Sequence, residues 1–377
     1  MTPPGASFQN SPRNNALFLT PEEPKPGTGG GGLRSASLLE YLRTKYDVTV
    51  ASFTLPRHSK AFAARAWRNG WRFARGVPPL IERFSGCQAQ LGPFLNGRRY
   101  RVAVIEHFWC APYAAAIRPH CDVLVLDLHN IESELAATHA RAAGGVESIL
   151  HRRFADAYRK LECEWIPKFD VVLAASEEDR GRIEHRENVV VYPNALPVIE
   201  MPRVEEENCI VFSGNLEYHP NIEAVRWFRS AIWPRLRERN PGLTWNLIGR
   251  NPEAIADIVK GDPSIRVVGP VADAVAAIAA GRVAVVPLLS GSGTRFKILE
   301  AWAAGRAVVS TRMGAEGLGA GDGEHLLIAD DPAGFAEAVQ GLLDARAMAR
   351  MLGEAGRALY LDQYTWPVAW KKLNGLI

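Results

Sequence analysis

The sequence predicts an α/β protein made of two tandem doubly wound, Rossmann-like domains that face a shared cleft. Three observations favour this architecture: a length of 377 residues, the alternation of short apolar runs with helical stretches, and the restart of that alternation in the second half. The length exceeds that of one ordinary compact core. Alternating strands and helices are typical of a parallel sheet covered by helices on both faces.

The strand candidates are short runs rich in apolar and β-branched residues. They are residues 16–20, 48–53, 102–106, 123–128 and 171–174 in the first half, and 209–213, 244–249, 265–268, 283–288, 307–311 and 325–328 in the second. Between the halves, residues 192–208 contain three prolines and an acidic run, which indicates a hinge. We therefore predict a first domain over 1–193, a second over 194–360, and a C-terminal segment, 361–377, that packs back on the first.

The composition is that of a soluble globular protein, with 47% hydrophobic residues, 23% charged residues and a formal net charge of +3. No apolar run is long and charge-free enough to span a bilayer, and the polar first 13 residues lack the pattern of a secretion signal. The five cysteines are scattered, which argues against a disulfide framework or a Cys-x-x-Cys metal site. We therefore expect a cytoplasmic protein.

The segment SGSGTRFKILEAWAAG at 290–305 follows a strand candidate and opens a predicted helix. Small residues at this point, among them Gly293 and Thr294, leave backbone N–H groups accessible. A diphosphate is expected to bind there, at the positive end of the helix dipole.

Charged residues follow within the same helix. Arg295 and Lys297 add full positive charge, and Glu300 is placed to accept hydrogen bonds from ribose hydroxyls. The alternative is an ordinary surface pair of Lys297 and Glu300, which would contribute about 0.2–0.5 kcal/mol.

Four consecutive glycines, residues 29–32, follow the first strand candidate and precede a predicted helix over 33–42. Gly30, Gly31 and Gly32 would let the backbone approach a phosphate closely. A glycine run is also a common flexible connection. The run lacks the Gly-x-Gly-x-x-Gly pattern of nicotinamide-dinucleotide sites.

His129 stands where the strand candidate 123–128 ends. Ligands bind at the carboxyl ends of parallel strands, so we expect its imidazole to hydrogen-bond a sugar hydroxyl. The alternative is a structural histidine. Two further strand ends in the second half predict donor contacts, and they carry Gly214 with Asn215 and Gly249 with Arg250. Asn221 is predicted to cap the helix that follows the first of them.

A basic stretch over residues 59–77 places arginines at helical spacing with tryptophans beside them. Arg65, Arg68, Trp71 and Arg72 are therefore predicted to contact an acceptor or an anionic membrane surface. A solvated surface helix is the alternative. A nucleic-acid partner is not favoured, since the net charge is small and no recognition motif is visible.

Together these motifs resemble the retaining glycosyltransferases of family 4, which have the GT-B fold. The likeness runs over about residues 16–342, and its most specific parts are FSGN at 212–215, GSGTRFKILEAWAAGRAVVS at 291–310 and GAEG at 314–317. In that family the second of two glutamates seven residues apart binds the donor ribose, and Glu300 matches it. The first would fall at Ser292. Asn215 and His219 stand where the family commonly carries an arginine and a lysine.

The resemblance implies transfer of a sugar from a nucleotide-diphosphate sugar with retention of configuration. The basic segment with its tryptophans indicates surface polysaccharide or glycolipid synthesis as the setting. Arg295 and Lys297 would stabilise the departing diphosphate, and His129 would position the sugar. No metal and no cofactor are expected, and the nucleotide sugar is the co-substrate. The expected partners are this donor and a glycan or lipid-linked acceptor, with possible peripheral contact at the inner membrane face.

Other activities of the same fold stay open, because fold does not determine chemistry. One is a catalytically silent nucleotide-sugar-binding protein, which the absence of the first glutamate would fit. An epimerase or a phosphorylase is another. The nucleotide base, the sugar, the acceptor and the linkage do not follow from the residues.

Overall fold

Two six-stranded parallel sheets organise the chain. The computed structural model describes residues 14–21, 30–54, 70–72, 74–142, 144–290 and 295–377. The first sheet has the order β2-β1-β3-β4-β5-β6 and the second β12-β11-β10-β7-β8-β9. In each sheet the chain adds strands on one side of the domain's first strand, β1 or β7, and then continues on the other side. This reversal of strand order is typical of doubly wound folds. The predicted fold class is confirmed.

The first sheet comprises β1 Asn15–Thr20, β2 Asp47–Ser52, β3 Tyr100–Glu106, β4 Cys121–Asp127, β5 Val171–Ala174 and β6 Val189–Val191. Its helices are α1 Gly30–Lys45, α2 Pro79–Phe84, α3 Gly92–Leu95, α4 Ala114–Ile117, α5 Glu132–Ala142, α6 Gly145–Trp165 and α7 Glu177–Arg182. Short 3-10 helices lie at Gln88–Leu91, Phe108–Tyr113, Arg118–His120 and Ile166–Lys168.

The second sheet comprises β7 Cys209–Ser213, β8 Thr244–Ile248, β9 Ile265–Val268, β10 Val283–Val286, β11 Ala307–Ser310 and β12 Leu327–Ile328. Its helices are α8 His219–Trp227, α9 Trp233–Arg239, α10 Ala256–Val259, α11 Ala274–Ala279, α12 Phe296–Ala303, α13 Arg312–Ala315, α14 Pro332–Asp344 and α15 Arg346–Gln363, and α16 Trp366–Lys371 follows. A π-helical turn at Phe228–Ile232 and a 3-10 helix at Pro252–Ile255 complete it.

The central strands are buried on both faces, which explains their continuous apolar sequences. All four residues of β10, VAVV, and of β11, AVVS, are buried. Helices α7, α11 and α14 begin at side-chain caps, with Ser176, Asp273 and Asp331 each accepting a backbone N–H. Such caps fix where each helix starts at the sheet edge.

The last helix crosses back to the first sheet. Ala369, Leu373 and Ile377 belong to the same apolar cluster as residues of β1 and α1. Trp370 Nε1 donates to the backbone oxygen of Ser37 at 3.1 Å. The C-terminal residues therefore tie the second half of the chain to the first domain.

Two local predictions were wrong and one strand was missed. Gly30, Gly31 and Gly32 are not a loop but form the first turn of α1. Asn221 does not cap α8, because that helix begins at His219 with Tyr218 in the N-cap position. The three-residue strand β6 was not predicted at all.

Candidate functional site

The carboxyl ends of the two sheets face each other, and side chains at those ends meet across the cleft. Leu33 of α1 packs against the apolar core of the second domain. Arg182, at the end of α7, donates to Glu316 Oε1 at 2.6 Å. A Cβ atom placed on Gly317 would lie 3.5 Å from Ser176 Cβ. The cleft is therefore narrow, and loops of both domains border it.

Lys297 and Glu300 lie on the first turns of α12, next to the carboxyl end of β7. Glu300 Oε2 accepts a hydrogen bond from Ser213 Oγ at 3.2 Å, and Lys297 Nζ lies 5.1 Å from the centre of the Phe212 ring. Burial raises the pKa of Glu300, and the nearby Lys297 opposes that change. The alternative of a solvated surface pair is wrong, because the two groups sit against the sheet.

Burial also lowers the pKa of Lys297 to about 8, with Arg295 adding to the decrease and Glu300 opposing it. An ammonium group with a low pKa is held in surroundings that solvate its charge poorly. A bound diphosphate would supply the missing negative charge. Strongly perturbed groups in a cleft are typical of functional sites.

Gly214 leaves room for the Lys297 ammonium. It has a φ of 146°, and a Cβ atom at this position would collide with Lys297 Nζ. Gly249 packs its backbone so closely on the Gly214 carbonyl that a Cβ atom there would collide with backbone. Gly214 and Gly249 are therefore required, because neighbouring atoms approach both positions too closely for a side chain.

Hydrogen bonds join the two loops that carry these glycines. Asn215 Oδ1 accepts from Asn251 Nδ2 at 2.8 Å, and the Asn215 backbone oxygen accepts from Asn221 Nδ2 at 2.6 Å. The backbone oxygen of Arg250 accepts from Leu216 N at 2.9 Å. These bonds hold the ends of β7 and β8 as one rigid rim of the cleft.

Arg295 precedes α12 and is buried rather than exposed at the helix end. Its Nε donates to the backbone oxygen of Met313 at 3.2 Å, and Nη2 lies 3.8 Å from Glu316 Oε2. Glu316 is also the partner of Arg182 in the first domain. Arg295 therefore lies where α12, α13 and the first domain converge.

His129 lies in a buried polar cluster at the ends of β3 and β4. Its Nε2 is 3.3 Å from Asp127 Oδ2 and 3.5 Å from Glu106 Oε1. Burial by itself lowers the pKa of His129, but the hydrogen bonds and charges of Asp127 and Glu106 raise it to about 9. Its ring contacts that of His107, with the centroids 3.7 Å apart and the ring planes tilted by 33°. His129 is therefore held as a cation at neutral pH.

Arg34 of α1 joins the same buried cluster, and sequence reasoning missed it. Its Nε donates to Asp127 Oδ1 at 2.9 Å, and its Nη1 donates to the Tyr192 backbone oxygen at 2.6 Å and to Asn194 Oδ1 at 3.0 Å. The signal in the sequence was the single charged residue within the apolar stretch that follows the glycines.

Among the described residues, Glu106, Asp127 and His129 bring candidate metal-ligand atoms within 4.8 Å of one another. Arg34 and protonated His129 supply two positive charges against the two carboxylates.

The first helix brings its glycines to this cluster. A Cβ atom on Gly31 would lie 3.3 Å from His129 Nδ1, so the start of α1 borders the imidazole. Gly30 and Gly32 lie in the same helical turn.

Of the other predicted site residues, two are described by the structure and four are not. Trp71 is 53% exposed, and Arg72 pairs with Glu82. Gly293, Thr294, Arg65 and Arg68 lie outside the described residues. None of the helices in the described ranges combines the length and hydropathy needed to cross a bilayer.

Two facing doubly wound domains with a site between their strand ends define the GT-B class of fold. Residues 207–345 match the family model described as glycosyl transferases group 1. Over these residues the chain is therefore similar to group 1 glycosyltransferases, and the predicted resemblance to glycosyltransferases is confirmed at that level. This match also supports the predicted enzyme class.

One curated relative is the "Uncharacterized 44.6 kDa protein in cps region" of Klebsiella pneumoniae, 28% identical over 181 residues. The alignment covers 45% of this chain and 46% of that relative, so the match spans about half the length of the relative.

Two solved structures are similar over nearly the whole chain. Sucrose-phosphate synthase of Thermosynechococcus elongatus has a TM-score of 0.68 and 16% identity, with 97% of this chain and 98% of that one covered. HepE of Anabaena, in complex with UDP and glucose, has a TM-score of 0.68 and 13% identity, with 96% and 98% covered. At such identities the likeness shows the fold.

Proposed function

We propose that this protein transfers a sugar from a nucleotide-diphosphate sugar to an acceptor, with retention of configuration and without a metal ion. The observation that carries this proposal is that Lys297 and Glu300, two neighbouring and half-buried side chains of opposite charge, lie beneath Gly214. A cation of lowered pKa next to a carboxylate fits a donor that presents both a diphosphate and ribose hydroxyls.

The charges of the cleft match the charge changes of the proposed reaction. When the bond between the anomeric carbon and the diphosphate breaks, negative charge develops on phosphate oxygen, and Lys297 and Arg295 stabilise it in a site of low dielectric. The sugar gains oxocarbenium character. His129, on the opposite domain, hydrogen-bonds a sugar hydroxyl and fixes the orientation of the ring.

The retaining course needs no protein nucleophile, because the acceptor attacks on the face that the diphosphate leaves. The acceptor hydroxyl forms the new bond to the anomeric carbon as the bond to the diphosphate breaks. Its proton passes to the departing phosphate oxygen. Closure of the cleft over the donor would exclude water and favour transfer over hydrolysis.

The proposed setting is the synthesis of a surface polysaccharide or glycolipid on the cytoplasmic face of the membrane. The relative encoded in a cps region supports this setting, and so does exposed Trp71 beside Arg72 and Arg75. HepE was solved with UDP, which makes uridine diphosphate the first nucleotide to test.

The test is thermal stabilisation by UDP, GDP, ADP and TDP, each with and without magnesium. A ligand at 100 times its dissociation constant contributes about 2.7 kcal/mol to stability. We expect one diphosphate to stabilise the wild type equally with and without magnesium. Lys297→Ala should lose this stabilisation, while Lys260→Ala, which changes an exposed lysine of the same domain, should keep it. Absence of stabilisation by every nucleotide would contradict the proposal.

A catalytically silent nucleotide-sugar-binding protein is the second candidate, since the family's first glutamate position is occupied by Ser292. Product analysis distinguishes the two. Binding of a nucleotide sugar without transfer to any of a panel of acceptors, and without slow hydrolysis, would favour the silent protein.

A further inference from the structure

A cavity of about 280 Å³ lies in the first domain between α2, α5 and α6. Its walls are mainly apolar side chains, namely Pro79, Leu80, Leu135, Ala136, Leu150 and Phe154. The volume is close to the lower end of the range of ligand pockets, about 300 Å³. The proposed transfer reaction does not use this cavity.

The cavity adjoins the proposed reaction site. Glu132, which lines it, follows His129 by three residues. His139 lines it further along α5. The pKa of His139 is lowered by burial, by the charge of His151 and by the charge of His219 in the second domain. Glu132 and His139 therefore form the part of the cavity wall that belongs to α5, and the charges of His129 and His219 act on these two residues.

The carboxyl group of Glu132, which lines the cavity, is compatible with an apolar ligand. Glu132 is 3% exposed, and burial together with the charge of Glu162 raises its pKa to about 8. The group is therefore mostly uncharged at neutral pH, and the cavity interior carries no fixed negative charge there.

The rim of the cavity is positively charged. Arg72 lines the cavity and pairs with Glu82. Arg75 lies one turn further along and is exposed. Arg153 of α6 donates to the backbone oxygen of Ala74 at 3.3 Å. Arg153 therefore lies beside the segment that carries Arg72 and Arg75, and this local excess of guanidinium groups favours an anionic group at the rim.

We propose that this cavity binds the apolar chain of an acceptor whose sugar is linked to that chain through a phosphate group. The chain would occupy the space between Leu80 and Leu150. The phosphate would lie at the arginine rim, and the acceptor sugar would reach the cleft beside His129. The proposal rests on the proposed function, because it names the acceptor class of the same reaction site.

The test measures binding of farnesyl monophosphate by isothermal titration calorimetry, in the presence of the nucleotide diphosphate that stabilises the wild type. Leu150→Trp fills the cavity from α6, and Leu80→Trp fills it from α2. Ile149→Trp is the matched control, because Ile149 neighbours Leu150 on α6 but is 60% exposed and does not line the cavity. Farnesol and inorganic phosphate separate the apolar from the anionic contribution.

We expect both cavity-filling variants to bind farnesyl monophosphate about tenfold more weakly or worse, since the apolar chain loses its buried surface. Ile149→Trp should bind like the wild type. Farnesol should bind more weakly than farnesyl monophosphate. Inorganic phosphate alone should not displace farnesyl monophosphate.

Equal affinity of all four proteins, or no binding to the wild type, would overturn the inference. Thermal stabilisation by the nucleotide shows in each variant that the protein is folded and that the donor site is intact. A wild type that binds no nucleotide would instead contradict the proposed function. A folded, nucleotide-binding wild type that ignores farnesyl monophosphate contradicts the cavity proposal alone.

Discussion

Arg34 and Asp127 form a buried ion pair, with Arg34 Nε 2.9 Å from Oδ1 and 3.1 Å from Oδ2. The two side chains are 1% and 0% exposed. The pair joins the first helix to the end of β4, and the remaining guanidinium donors reach the segment that leaves the first domain. One side chain therefore holds together the glycine turn, the His129 strand end and the inter-domain segment.

Removing the cation alone should strongly destabilise the first domain. Arg34→Met leaves two buried carboxylates with only His129 to balance them, and breaking a buried pair typically costs about 3–5 kcal/mol. We expect a correspondingly lower midpoint of urea unfolding, followed by circular dichroism.

The matched control is Arg99→Met. Arg99 donates to Asp122 in an exposed pair on the same sheet, and exposed pairs contribute no more than about 1 kcal/mol. If both variants unfold at the same urea concentration, the Arg34 pair does not have the structural role described.

The sequence predicted the strands well because parallel strands that are buried on both faces are continuous apolar runs. β10 and β11 were recognised for this reason, and only their ends differ from the prediction. β6 was missed because three valines beside a proline-rich segment show no periodicity. The glycines of α1 were misread, since glycine favours loops unless tertiary packing stabilises the helix.

The proximity of Lys297 and Glu300, the proposed donor contacts, was predictable because these residues are close in sequence. Lys297 and Glu300 share one helix and follow one strand, so a single motif contains both. Arg34, Glu106 and Asp127 were not predictable as a group. Their association depends on bringing together segments that are 93 residues apart in the case of Arg34 and Asp127, and only the folded sheet does this.

The pKa of His129 predicts a pH-dependent contribution to stability. The folded chain holds the imidazolium with a pKa of about 9, against an ordinary value of 6.5. Because the folded state binds this proton more tightly, the contribution is fully present below pH 6.5 and is lost as the pH rises to about 9. The free energy of unfolding of the wild type should therefore fall relative to His129→Gln across this window, by at most about 1.4 kcal/mol per pH unit.

Urea titrations of both proteins at intervals across that window measure the difference. Glu132 titrates in the same window and the charge of His129 lowers its pKa, so the comparison is made with Glu132→Gln present in both proteins. Parallel pH profiles of the wild type and His129→Gln would show that the carboxylates do not hold His129 as a cation.

Gly214→Ala should weaken nucleotide binding without unfolding the protein. A methyl group there collides with the Lys297 ammonium, which is the flexible end of a side chain and can move, and the φ of 146° adds local backbone strain that lowers stability. Losing one hydrogen bond to a charged group costs about 1.5–3 kcal/mol, so the dissociation constant for the nucleoside diphosphate should rise by about tenfold or more.

Gly269→Ala is the control for this substitution, because a Cβ atom there meets no other atom within 4 Å. It should bind the nucleotide like the wild type. Equal dissociation constants for the two variants, measured by calorimetry, would mean that the position of Lys297 beneath Gly214 does not matter for the donor.

The lowered pKa of Lys297 predicts how donor binding depends on pH. In the free protein the ammonium loses its proton as the pH rises through about 8, and the attraction for the diphosphate is lost with it. The terminal phosphate of the nucleotide has its last pKa near 6, so its charge is constant above pH 7. The dissociation constant should therefore be flat near pH 7 and should rise by up to about tenfold per pH unit above 8.

Lys297→Arg separates this effect from other titrations, because a guanidinium keeps its charge throughout the range. The variant should bind the nucleotide with an affinity that does not change between pH 7 and about 9.5, whatever its absolute value. If the affinity of Lys297→Arg falls with pH as steeply as that of the wild type, another group controls donor binding, and Lys297 is not the cation that receives the diphosphate.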